Sequence, residues 1–184
     1  MMDPLVVKTV AIGLGLMFLA AAWHKASDRE HFHVTLLEYQ VLPEALVAPA
    51  VMLIPLFEAV LGVSWLAGYP DVALSAIGSA ALLGVYALAI AINLLRGRVH
   101  FDCGCGFAGK SDNEQYLSGG LVLRNGVLIV LALSTLFPAS DRALGAGDYL
   151  TLLAALLAIG LLFAAANQLL ANRAAINTWR KLRD

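Results

Sequence analysis

Two adjacent stretches decide what kind of protein this is: residues 46–68, LVAPAVMLIPLFEAVLGVSWLAG, and residues 72–95, VALSAIGSAALLGVYALAIAINLL, parted only by Tyr69, Pro70 and Asp71. A helix needs about 20 largely apolar residues to cross a hydrocarbon core of ~30 Å, and both stretches exceed that. Between them they carry a single charged side chain, Glu58. The pair reads as a transmembrane hairpin. Working outward, residues 5–23, 117–137 and 149–170 meet the same criterion, which predicts five spans in one transmembrane domain covering 1–184. The composition agrees: 60% of the 184 residues are hydrophobic, 14% are charged, and the mean hydropathy is +0.80. The first segment has a signal-like start, with Lys8 ahead of an apolar run ending at Ala20-Ala21-Ala22, but its length and the four later segments favour a retained span. A net charge of −1 indicates no nucleic-acid partner.

The polar residues gather in three places: residues 24–45, residues 100–116 and a tail from Asn172. Five spans put all three on one side of the bilayer, together with all four histidines (His24, His31, His33, His100) and both cysteines. The opposite side receives the N-terminus, the 69–71 turn and residues 138–148. In the first polar loop, Ser27 and Glu30 fit a capping box, and Phe32, Leu36 and Tyr39 follow at helical spacing until Pro43. This predicts a short amphipathic helix, either on the membrane surface or packed on the bundle, able to lid what lies beneath. Small residues (Gly13, Gly15, Gly62, Gly78, Gly84, Gly119, Gly120) mark possible close helix contacts, and Pro49 and Pro55 should bend the second span.

The chemistry centres on Cys103-Gly104-Cys105, which holds the only two cysteines of the chain. Bridged cysteines need Cα atoms about 4.4–6.8 Å apart, which an i,i+2 pair meets only in a tight turn, and Gly104 and Gly106 supply the backbone freedom for one. So small a loop adds little chain-entropy stabilisation and is easily reduced, so redox exchange is a better reading than a structural staple. Lys110, Arg98 and His100 would favour a thiolate, and Asp102 would oppose it. A metal centre built from His100, Asp102, Cys103 and Cys105 is the rival. It is set aside because zinc sites use cysteines two to four residues apart with a second paired half. Residues 104–111, GCGFAGKS, match a phosphate-loop pattern, but a transmembrane helix feeds them, and no parallel sheet frames the loop.

Inside the spans, Glu58 and Arg124 are costly unless partnered. The expectation is a Glu58–Arg124 pair, either structural or serving a proton or quinone site, with Asn93 and Asn125 adding hydrogen bonds. Lys25 and Asp28, just beyond the first apolar run, can pair locally.

The order Lys25-x-x-Asp28, Phe32, Tyr39, Leu42-Pro43, Pro55-x-x-Glu58-x-x-x-Gly62, Asp102-Cys103-Gly104-Cys105 and Leu123-Arg124-Asn125 resembles the MauE family of methylamine-utilisation membrane proteins, grouped with DoxX-like proteins. The resemblance runs from the first span through the fourth. It implies a role in maturing methylamine dehydrogenase, whose small subunit is periplasmic, disulfide-rich and carries a tryptophan-derived quinone. A thioredoxin-fold companion, MauD, is the implied thiol partner. It also implies an architecture similar to the four-helix bundle of vitamin K epoxide reductase, here with one extra helix. Cys103 and Cys105 would then be catalytic, supported by Lys25, Glu58, His100, Asp102 and Arg124, with a membrane quinone as the conceivable cofactor and no resident metal. The chain departs from that enzyme in having CxC for CxxC and in lacking a second cysteine pair, so a partner must supply the other dithiol. A non-enzymatic scaffold docking the thioredoxin-like protein and the maturing subunit is the alternative, and a metal-handling protein a third reading. On location, a bacterial inner membrane is implied, but two arguments conflict over the dithiol. Lys25, Arg29, Arg96, Arg98, Lys110, Arg173, Arg180, Lys181 and Arg183 share its face, against Lys8 and Arg142 opposite, which places it in the cytoplasm. The resemblance places it at the periplasm, where the implied substrate matures and disulfides persist, the side adopted here.

Overall fold

A computed structural model describes residues 2–68, 72–97 and 119–181. Among them are six helices and no strand: α1 (Pro4–Ser27), α2 (Arg29–Tyr39), α3 (Glu44–Ala67), α4 (Val72–Leu95), α5 (Gly119–Ser134) and α6 (Ala146–Lys181). Helices α1, α3, α4 and the stretch Ala146–Leu169 of α6 are long and apolar enough to cross a membrane. Helix α5 is apolar but has 16 residues, shorter than the 117–137 span expected.

Each terminus has a local cause. Asp3 accepts a hydrogen bond from the Leu5 amide at 2.8 Å, and Pro4 supplies a preset φ at the first helical position. The α1 helix outlasts its apolar run and continues to Ser27, so the capping residue of α2 is Asp28, which accepts from the His31 amide at 3.1 Å. Ser27 is thus the last residue of α1, not the cap expected for α2. Helix α2 stops at Tyr39 because Gln40 turns left-handed (φ 45°), and Pro43 caps α3. Helix α3 then runs unbroken through Pro49 and Pro55 to Gly68, whose positive φ closes it.

The outer surface is apolar, and charged and polar side chains are buried within the core. Leu56 and Phe57 are 58% and 60% exposed, while their neighbour Glu58 is 1% exposed. The buried polar set includes Lys25, Ser75, Ser79, Asn93 and Asn125. With no water in a bilayer, polar side chains find partners only in the interior, whereas apolar ones can face lipid. Trp65 Nε1 donates to Ser79 Oγ at 2.9 Å and links α3 to α4 in this way.

Helix α1 lies chiefly against α3, and α4 chiefly against α5. The first contact is set by two glycines. A Cβ on Gly62 would lie 2.7 Å from Leu19 Cγ and 3.0 Å from the Gly15 carbonyl oxygen, and one on Gly15 would lie 2.9 Å from Leu66. This is the close approach that small residues permit where no hydrophobic force drives helices together. Among the described residues, nothing lies within 4 Å of where a Cβ on Gly84 or Gly119 would sit. Helix α6 packs against α1, and most of the large side chains of its Ala146–Leu169 stretch are exposed. Helix α2 is packed on the bundle: Phe32, Thr35 and Tyr39 are buried, with Phe32 in one cluster with Val47 and Val51 of α3.

At the other end, the N-terminus is tied to the α5–α6 connection. The Met2 amide donates to the Pro138 carbonyl at 3.0 Å, and the Ser140 amide to the Met2 carbonyl at 2.8 Å. Arg142 bridges Asp3 at 3.2 Å and Asp148 at 3.0 Å. The Leu5 amide and the Arg142 guanidinium together hold the Asp3 carboxyl below its ordinary pKa of 3.8.

Candidate functional site

Three helices deliver side chains to one point in the interior. Lys25 lies in the last turn of α1, on the same buried stripe as Leu14, Phe18 and Ala22. Glu58 occupies the equivalent stripe of α3, between Pro55 and Gly62. Because the Gly15–Gly62 crossing brings α1 and α3 close, the lysine side chain reaches across to the carboxylate. Lys25 Nζ donates to Glu58 Oε1 at 2.5 Å, and Tyr86 Oη of α4 donates to the same oxygen at 2.8 Å. The ammonium also sits 5.6 Å from the Phe32 ring centroid and 5.3 Å from that of Tyr86, within cation–π range of both. Lys25 is 5% exposed, so the pair is a desolvated one.

This corrects two expectations. Glu58 is paired with Lys25, where Arg124 was expected, and Lys25 meets Glu58 rather than Asp28, whose side chain caps α2. Arg124 instead donates to Asn167 Oδ1 of α6 at 3.0 Å, and its guanidinium lies 5.7 Å from the Phe163 ring centroid. The two cations are nonetheless neighbours across one small space, a cavity of about 30 Å³ whose lining includes Lys25, Tyr86, Arg124 and Asn125. Asn125 donates to the Leu121 carbonyl of its own helix at 2.9 Å. Asn93 serves a different joint: its amide nitrogen donates to the Tyr39 carbonyl at 3.1 Å and to the Ala89 carbonyl at 3.0 Å. Arg96 donates to the Gln40 carbonyl at 3.2 Å, so the end of α4 latches the end of α2.

Between α2 and the Lys25–Glu58–Tyr86 cluster lies a larger cavity of about 140 Å³. Helix α2 contributes Phe32, Leu36 and Tyr39 to its lining. Tyr86 and the α2-covered cavity were missed in the sequence, although the tyrosine lies between Leu83 and Ile90 of the buried α4 stripe.

Cys103 and Cys105, with His100 and Asp102, lie outside the described residues. Among the described residues, no three His, Cys, Asp or Glu side chains are grouped so as to hold a metal ion.

Long apolar helices that expose their hydrocarbon side chains and bury an ion pair define a multi-pass helical membrane protein. The chain belongs to the MauE family: the model described as methylamine utilisation protein MauE matches residues 3–138, which include Lys25, Glu58, Tyr86, the Cys-Gly-Cys motif and Arg124. The methylamine utilization protein MauE of Paracoccus denitrificans is 38% identical over 145 residues, covering 78% of this chain and 76% of that protein. The protein of the same name from Paracoccus versutus is 34% identical over 151 residues, covering 81% and 78%. That of Methylorubrum extorquens is 34% identical over 144 residues, covering 77% and 75%. No solved structure matches the chain.

Proposed function

We propose that this chain is a membrane thiol–disulfide redox protein acting in methylamine utilisation. A thiolate of the Cys103/Cys105 pair attacks a disulfide of a thioredoxin-fold, MauD-like partner and forms a mixed disulfide. The second cysteine resolves it, leaving a Cys103–Cys105 bridge and a reduced partner; the reverse exchange oxidises the partner. The partner in turn acts on the disulfides of the methylamine dehydrogenase small subunit during its maturation. The observation that carries this reading is the cysteine inventory: two cysteines, one residue apart, flanked by His100, Asp102 and Lys110, in a member of the MauE family. An isolated i,i+2 pair has little value as a staple and considerable value as an exchangeable couple.

In this reading the fold is a vitamin K epoxide reductase-like bundle of α1, α3, α4 and α5 with α6 as a fifth span, set in the bacterial inner membrane. The dithiol faces the periplasm, where the small subunit matures. Lys25, Glu58 and Arg124 are supporting groups that hold the helices carrying the loop; His100 and Asp102 tune the thiols.

The test is single replacement of each cysteine. Either Cys103→Ser or Cys105→Ser should accumulate a mixed disulfide with the partner, visible on a non-reducing gel, and the other should abolish it; both should block dehydrogenase maturation. Full maturation in both variants sinks the redox assignment and leaves a scaffold that docks the partner and the small subunit.

A further inference from the structure

The cavity beneath α2 has a character that the thiol chemistry does not explain. Its walls come from Phe32, Leu36 and Tyr39 of α2, Ile54 of α3, and Ala89 and Ile90 of α4. Lys25 and Tyr86 also line it and give it a polar end. Val41, Leu42 and Val85, which also line it, are exposed apolar side chains and give it an opening suited to an apolar ligand arriving from the lipid. In size it is close to an apolar protein cavity of about 150 Å³ that accepts a benzene ring.

We propose that this cavity binds the ring of a lipid-borne quinone, with one carbonyl oxygen accepting from the Lys25 ammonium. The reasoning is one of donors and acceptors. Tyr86 donates its hydrogen to Glu58, so it has none to offer a ligand. The Lys25 ammonium carries three N–H groups, of which Glu58 Oε1 accepts one. The group that fits that end is therefore an acceptor, and the group that fits the walls is flat and apolar. An acyl chain satisfies the walls but sets methylenes against a cation. A sugar or phosphate satisfies the cation but has no route through the lipid and would lie against walls that are chiefly apolar, where the Thr35 hydroxyl already donates to the His31 carbonyl.

The binding stands by itself; only its use rests on the dithiol reading. Closing the Cys103–Cys105 bridge releases two electrons and two protons. The ring takes up both pairs as its two C=O groups become C–OH, so quinone and dithiol give quinol and disulfide.

The test uses the full-length protein in lipid nanodiscs with a photoreactive azido analogue of a short-chain ubiquinone, competed by decylubiquinone. Labelling should map to peptides containing Phe32–Leu42 and Val85–Ile90, and decylubiquinone should suppress it. Filling the cavity with Ala89→Trp should lower this labelling about tenfold or more. Because a buried tryptophan can disturb folding, Val85→Trp at the exposed mouth is the companion variant, and it should lower labelling too. The Cys103→Ser/Cys105→Ser double variant should label like the parent. Labelling spread along the lipid-facing helices, or unchanged in both tryptophan variants, overturns the site. Quinol release by the pre-reduced protein, followed by absorbance, reads the redox step separately. Site-specific labelling without quinol formation refutes electron transfer from the dithiol to the ring and keeps the site; quinol formation that neither tryptophan variant slows refutes the site and keeps the dithiol.

Discussion

Cutting the Lys25–Glu58 pair from one side should damage the protein far more than removing it whole. At 2.5 Å and an effective dielectric constant of about 20, the attraction between the two charges is about 7 kcal/mol. Withdrawing each ion from water costs several kcal/mol, so the intact pair roughly breaks even. Stranding one member removes the attraction and keeps the cost. For buried pairs this amounts to about 3–5 kcal/mol, and insertion scales give ~2.5–3.5 kcal/mol for a lone charge at the centre of a membrane helix. Lys25→Met and Glu58→Gln should therefore each lose about 3 kcal/mol, roughly a hundredfold in the folding equilibrium. The double variant Lys25→Met/Glu58→Gln removes both charges of the pair, fills similar volume and keeps a side-chain carbonyl for Tyr86, so it should fall within about 1 kcal/mol of the parent. Denaturant titration in mixed micelles, followed by circular dichroism, measures all four corners of the cycle. If the two single losses simply add, or if each stays below about 1 kcal/mol, the pair is not the desolvated joint described above.

Other expectations follow from the same geometry. Gly62→Ala places a methyl against Leu19 and the Gly15 carbonyl and should cost about 1–3 kcal/mol, whereas Gly84→Ala meets open space and should be tolerated, both read in the same titration. Asn93→Leu removes the donor to the Tyr39 carbonyl, so amide exchange in α2 should speed up well before that of α3. The Asp3 carboxyl is depressed in the folded state, so its contribution is complete above 3.8 and fades as pH falls through its lower folded value; limited proteolysis should show the N-terminus loosening in that acid window, and Asp3→Asn should lose the pH dependence. A periplasm-active reporter joined after Asp184 should be active if the tail and the dithiol share that side, and silent if the lysine and arginine count decides orientation.

The long elements were legible because a bilayer imposes a length and an apolar composition that few other structures share. What sequence reading misjudged was where polarity ends. It took Trp23 as the close of the first span and assigned Lys25 to a loop, although Leu14, Phe18, Ala22 and Lys25 continue one helical stripe. In a bilayer a charged side chain is tolerated on the buried stripe and not on the lipid face, so a charge falling on that stripe marks a continuing helix. The same rule places Tyr86 on the inner side of α4. Arg124 was matched to Glu58 because they were the two evident intramembrane charges; the close crossing of α1 and α3, set by Gly15 and Gly62, gave the acid a nearer cation. Several glycines were taken for helix contacts, yet no described residue lies close to Gly84 or Gly119, since a small residue permits an approach without requiring one. For the dithiol, the sequence carries the chemistry of the cysteines but not the path of the backbone that holds them.

The buried pair also bears on how such a chain is made. Lys25 leaves the ribosome 33 residues before Glu58, near the end of its helix, where a long side chain can keep its head at the interface while it waits. Glu58 has no such refuge in the middle of α3. The two segments are therefore best inserted as neighbours, with the acid partitioning into the bilayer as the waiting lysine turns inward to meet it, and a delay between them would hold the second segment at the insertion machinery.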